Sequence, residues 1–156
     1  MLVVCPAMQS ITRMLPPYLD EAILQNPSRR KFPPFDPARL LSTVFEPTQG
    51  CRVCILTDFQ EPQELIRNFA FLEQEGFEVQ KNAHKYFYET LHAGVMDQLG
   101  MTGGEMFAYR CTKGSNLDLD DEVWNTKGEE PSLDRDIYAN YDLILCVSTY
   151  SATAPL

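Results

Sequence analysis

Two short runs, Arg52-Val-Cys-Ile-Leu-Thr57 and Leu143-Ile-Leu-Cys-Val147, limit what this chain can fold into more than any other feature. Each is rich in β-formers and apolar at consecutive positions. A strand with one wet face must alternate, because successive side chains point to opposite sides of a sheet. Strands that do not alternate are covered on both faces, the condition of a parallel sheet between helices.

The remaining periodicities fit that condition. Asp36 caps and Pro37 opens a helix whose Leu40, Leu41, Val44 and Phe45 form one stripe, stopped by Glu46-Pro47. After the first strand, Leu65, Ile66, Phe69 and Leu72 share a face of a helix from about Pro62 to Gln74, and Gly76 is its C-terminal stop. "FEVQ" (77–80) then reads as a second strand, completing a βαβ succession. A second long helix runs from about His84 to Leu99, with Phe87, Leu91 and Val95 on one side, and ends at Gly100. "EMFAYRC" (105–111) reads as a strand, the acidic segment after it as a loop, and Ser132 as the cap of a short helix burying Leu133 and Ile137. The expected fold is α/β: three layers, a mostly parallel sheet of four or five strands near 52–57, 77–80, 105–111 and 143–148, and helices on both faces, Rossmann-like or flavodoxin-like.

Residues 1–35 read as an irregular arm. Two short helix-forming stretches are divided by Pro16-Pro17 and followed by "NPSRRKFPPF". Residues 36–156 are the expected single domain. The net charge is −9, and −7 of it falls between Asn116 and Asp142, where nine acids meet two bases. Such a balance opposes phosphate backbones, so nucleic acid is not an expected partner. No window approaches the roughly 18 apolar residues of a membrane span, and "MLVVCPAMQ" lacks the basic leader of a signal peptide. A cytoplasmic protein without membrane attachment is the expectation. Five cysteines, two of them inside strand-like runs, do not suggest a disulfide framework.

Few positions offer chemistry. Cys51-Arg-Val-Cys54 has redox or zinc spacing but opens a strand instead of a helix, and Cys111 and Cys146 are isolated in their own runs, so the core reading is preferred. His84 and His92 lie eight apart on one helix, not the i, i+4 of a two-histidine zinc motif, and read as surface or boundary residues. Asp118, Asp120, Asp121 and Glu122 lack the turn glycine and distal Glu of a calcium loop. The glycines of "GMTGGE" lead from helix to strand, the reverse of a phosphate loop. No catalytic residue, metal ligand or cofactor is assigned to the chain. In parallel sheets, ligands bind beyond the carboxyl ends of the strands, and the polar residues there are Asp58, Ser148, Thr149 and Ser151. These four are the candidate ligand-binding residues, although Asp and Ser are also ordinary turn residues.

"FAYRCTKGSN", the loop after it and "YDLILCVSTYSATAPL" resemble the N-terminal α/β domain of the thermophilic metallo-aminopeptidases of the aminopeptidase T type, from Leu40 onward. In that family, paired metal ions are held by Glu, His, Tyr and Asp residues of a C-terminal domain, and the N-terminal domain is an accessory lobe bounding the active-site cavity of a dimer. Nothing here matches those ligands, so the resemblance carries over no catalytic residue. It implies a non-catalytic lobe of an aminopeptidase-like hydrolase, with a homodimer and a further C-terminal segment as its partners. The ending points the same way: Thr153 as a cap and Pro155 in a first helical turn lead to the expectation of a missing next helix. The alternative expectation is a small-molecule-binding α/β domain with its site at Asp58, Ser148, Thr149 and Ser151. A third is an α/β enzyme subunit completed by other residues.

Overall fold

The structure, a computed structural model, describes residues 33–150. The expected arm up to residue 32, together with Ser151, Thr153 and Pro155, lies outside the described residues.

Helix α1 (Pro37–Val44) starts as its sequence dictates. Asp36 is extended and its carboxylate accepts from the Arg39 N–H at 3.1 Å, with Pro37 in the first turn. Ala38 and Leu41 are buried, whereas Val44 and Phe45 remain exposed. Strand β1 (Arg52–Phe59) follows, buried at every position from Val53 to Phe59. It pairs in parallel with β2 (Thr102–Arg110) on one side and β4 (Leu143–Cys146) on the other. A three-residue strand, β3 (Val123–Asn125), runs antiparallel to β2, giving the order β3-β2-β1-β4. The expected mostly parallel α/β sheet is therefore present, with β1 at its centre.

Alternation along β1 feeds two cores. Val53, Ile55 and Phe59 pack with Leu41, Leu65, Ile66, Phe71, Ala83 and Leu91 on one face. Cys54 and Leu56 pack with Phe107, Tyr109, Val123, Leu133 and Ile137 on the other. At roughly 1.5–3 kcal/mol for each large side chain removed from water, these two clusters dominate stability. The register of β1 against β2 slips between Val53 and Cys54, opposite Gly103-Gly104. Gly103 has φ +90°, and a Cβ there would lie 2.5 Å from the Val53 carbonyl oxygen. These glycines serve a close strand-to-strand approach, not a ligand.

Three expectations need correction. The helix after β1 is short: α2 (Pro62–Ile66) gives way to a 3₁₀ stretch, Arg67–Glu73, in which Asn68 and Phe69 have φ of 52° and 56°. The cause is tertiary, since the Asn68 N–H donates to the Thr126 carbonyl at 2.8 Å while Phe71 is fully buried. Leu72, counted in the predicted apolar face, is exposed. "FEVQ" is not a strand: Phe77 is left-handed at φ 56°, and Glu78 begins helix α3, which continues over residues 78–99. Gly100, at φ 65°, ends it. The acidic segment is not all loop, because it contains β3.

Helix α3 carries two wide turns, His84–Tyr88 and Leu91–Val95, in which hydrogen bonds span five residues, and Gly94 departs from helical geometry at φ 128°. Helix α4 (Leu133–Tyr138) is one further wide turn, on the opposite face. As expected, Ser132 caps it, accepting from Arg135 N–H at 3.1 Å, and Leu133 and Ile137 are buried. Among the described residues, no helix is long and apolar enough to cross a membrane.

Candidate functional site at the carboxyl end of the central strand

The chain leaves β1 through α2 and α3 on one face and returns to β4 on β1's other side, after β2 and β3. Strand order therefore reverses direction at β1. In open parallel sheets, the ends of strands at such a reversal splay into a crevice. Asp58, at the carboxyl end of β1, and Thr149, just beyond β4, meet there.

Asp58 is only 2% exposed. Its Oδ1 accepts from the Thr149 backbone N–H at 2.8 Å and from Gln80 Nε2 at 2.9 Å. The same Gln80 amide donates to the Asp58 carbonyl at 2.7 Å and reaches Thr149 Oγ1 at 3.1 Å. Three acceptors thus share two hydrogens. Gln80, itself buried, stands in the first turn of α3 and ties that turn to the ends of β1 and β4. The carboxylate opens on a cleft of about 320 Å³ lined by Phe59, Phe77, Val79, Gln80, Cys111 and Thr149, with Gln60 and Glu78 beside them.

Of the four sequence candidates, the structure brings Asp58 and Thr149 into direct contact. Ser148 turns elsewhere: its hydroxyl donates to the Tyr150 carbonyl at 2.6 Å and lies 3.6 Å from Cys146 Sγ. Ser151 is outside the described residues. Gln80 and Phe77 were missed, because a neutral amide and an aromatic carry no chemical signature in a sequence. The one available signal was the pair Gly76-Phe77 ahead of a polar stretch, which also suits a helix start.

The other polar features fall into structural roles. Cys51 and Cys54 are buried, and burial, helped by Glu105 and Cys146, pushes the Cys54 thiol up to about 12. Such a thiol is neither nucleophile nor ready ligand. His84 is not a surface residue but 7% exposed, inside a ladder of rings. It stacks on Tyr88 at 5.1 Å and meets the edge of Phe69 at 4.7 Å, and Tyr88 in turn contacts His92 at 4.5 Å. Burial lowers the His84 pKa, opposed by Glu89, whose carboxylate is 3.3 Å from Nδ1. In the acidic segment, Asp121 accepts from Ser132 Oγ at 2.8 Å and Asp134 N–H at 2.9 Å. These bonds hold its carboxyl below the usual carboxylate range and fix the start of α4. Among the described residues no three His, Cys, Asp or Glu side chains converge as a metal ion would require.

A second depression, of about 430 Å³, lies on the α4 face between Arg52, Phe107, Asn125, Glu129, Asp136 and Tyr141. The Arg52 guanidinium lies over the Tyr141 ring, 5.1 Å from its centroid. Its carboxylates are exposed, and Glu129 already accepts from Asn125 Nδ2 at 2.6 Å. Comparison with protein families, with curated proteins and with solved structures yields no match.

Proposed function

We propose that this chain is a small-molecule-binding α/β domain whose site lies at the carboxyl ends of β1 and β4. The observation that carries this reading is Asp58: a carboxylate almost wholly removed from water, fixed through one oxygen by two donors, at the mouth of a cleft where the strand order reverses. Burying a charge is costly, and a purely structural turn at this position could use Asn or Ser instead. Phe77 supports the same reading. It holds a left-handed conformation costing about 1–2 kcal/mol while lining the cleft, and such strain gathers at binding sites.

Thermal shift with separate sets of nucleotides, divalent metals, anions, amines and amino acids tests the proposal. A ligand at about 100 times its Kd adds roughly 2.7 kcal/mol of stability. The stabilisation should appear with one set and be lost in Asp58→Asn. A protein indifferent to every set would reject it.

The accessory-lobe reading, of an aminopeptidase-like protein, draws on a different observation. Strand β4 has four residues, two of them half-buried and Cys146 exposed, and among the described residues its outer edge pairs with no strand. An open strand edge is a template for another chain. Under that reading no small molecule stabilises the domain, and Asp58→Asn leaves its behaviour unchanged.

A further inference from the structure

His84 brings a titratable ring into surroundings that water barely reaches. It stacks on Tyr88 and meets Phe69 and Phe71 edge-on at 4.7 and 6.1 Å. Its counter-charge is Glu89, 3.3 Å from Nδ1 on a side chain that is 58% exposed. That pairing depends on the wide turn. On an α-helix, residues five apart point about 140° away from each other. Here the Glu89 N–H bonds to the His84 carbonyl, and the two side chains come to one side. An exposed carboxylate offsets little of the cost of charging a buried ring, and burial outweighs it at His84.

The other charged groups on the elements packed around His84 are turned away or engaged elsewhere. On α3, Lys85 lies over the Tyr86 ring, and His92 is held 3.1 Å from the Gly104 carbonyl. On the Arg67–Glu73 segment, Arg67 runs against Gly128 and Glu73 is exposed. On β2, Met106 and Ala108 share this face and are apolar, Glu105 lies beside Tyr141, and Arg110 reaches toward Gln60 and Glu61.

Of the two elements that clasp the ring, the Arg67–Glu73 segment is the weaker. Helix α3 is anchored by the buried Gln80, Ala83 and Leu91. The segment buries only Phe71 and leaves Arg67, Asn68, Leu72 and Glu73 exposed. Its tie to β3 is the Asn68 N–H to the Thr126 carbonyl, and it holds two consecutive left-handed residues. Few buried contacts and stored backbone strain mark the part of a fold that opens first.

We propose that His84 is a pH-sensitive latch on the Arg67–Glu73 segment. Neutral, it holds Phe69 in the ladder of rings. Protonated, it turns out toward Glu89 and solvent, and the segment detaches while the sheet stays folded. The detached form exposes His84 and binds its proton near the ordinary 6.5, above the value in the closed form. Between those values the detached form carries more protons, so detachment grows as pH falls. Phe71 backs Phe59, which lines the cleft at the strand ends, so detachment loosens that wall whatever the cleft binds.

Hydrogen exchange followed by NMR on the full chain at pH 7.5 and 5.0, corrected for intrinsic exchange rates, tests the latch. The Asn68 and Gln74 amides, both hydrogen-bonded, report on the segment. Their opening should rise at least about threefold at pH 5.0, with a ceiling of about thirtyfold set by an ordinary histidine. It should be insensitive to low urea, while β1 amides stay at least about tenfold better protected. His84→Phe should remove the rise. Glu89→Gln, at an exposed side chain, keeps the fold and removes the charge that favours the protonated ring in place, so it should deepen the opening at pH 5.0. Segment amides that share the protection and urea dependence of β1 would overturn the latch. So would a rise that survives in His84→Phe, or a Glu89→Gln protein that opens no more than the parent.

Discussion

Replacing Gln80 with Leu separates a working hinge between helix and sheet from a coincidental contact. The Gln80 amide makes one hydrogen bond to a carboxylate oxygen and one to a backbone carbonyl, at 2.9 and 2.7 Å, in a site where Gln80 is 5% exposed. A bond to a charged acceptor contributes about 1.5–3 kcal/mol and a neutral one about 1 kcal/mol. Leu is close in volume and returns about 1 kcal/mol of apolar burial. The net loss expected for Gln80→Leu is about 2 kcal/mol. With an m-value of about 2 kcal/mol per molar, the urea midpoint should fall by about 1 M. Asp58→Asn keeps an acceptor at Oδ1 and should lose less than about 1 kcal/mol by itself. In the Asp58→Asn background, Gln80→Leu should cost about 1 kcal/mol, so the two changes couple by about another 1 kcal/mol. The assay is equilibrium urea unfolding of the four proteins of this cycle, followed by fluorescence and circular dichroism. A Gln80→Leu midpoint within about 0.2 M of the parent, or equal costs in both backgrounds, would refute the reasoning.

His84 gives stability a pH dependence of defined sign. Its folded pKa lies below its ordinary value of 6.5, so between the two values the unfolded chain binds more protons, and stability falls as pH drops through that window. Urea midpoints from pH 7.5 to 5 should show this slope, and His84→Phe should flatten it. Gly103→Ala forces a Cβ to 2.5 Å from the Val53 oxygen at a φ that L-residues avoid, and should lose at least about 2 kcal/mol by thermal unfolding. Phe71→Ala empties a fully buried site 5.1 Å from the Phe59 ring centroid and should lose about 4 kcal/mol, with its midpoint falling further than for any exposed substitution.

What the sequence disclosed and what it hid follow a physical division. Strands β1 and β4 were legible because a strand buried on both faces needs only apolar β-formers, and "VCIL" and "LILC" supply them. The caps at Asp36 and Ser132 were legible because capping is local, set within three residues. "FEVQ" misled because four residues with one β-branched member cannot distinguish a strand from a helix start. In the helix that forms instead, Gln80 reaches Asp58, 22 positions away, a contact that no local pattern encodes. Strand β3 was hidden because three residues, Val123, Trp124 and Asn125, carry too little periodicity to stand out of an acidic stretch. Asp58 was found by a topological rule and Gln80 was not, because the rule concerns strand ends and the amide arrives from the opposite layer.

The wide turns of α3 act as an angular setting. Each holds one residue more than an α-helical turn, and one residue corresponds to about 100° of rotation about the helix axis. The turn at His84–Tyr88 therefore decouples two requirements: Leu91 and the residues after it face the sheet on their own phase, while Gln80 faces Asp58 on another. Removing one residue from that turn would leave a more regular helix and swing Gln80 away from the strand end. The irregularity sets where the helix aims its first turn, much as a spacer in a gear train sets which tooth engages.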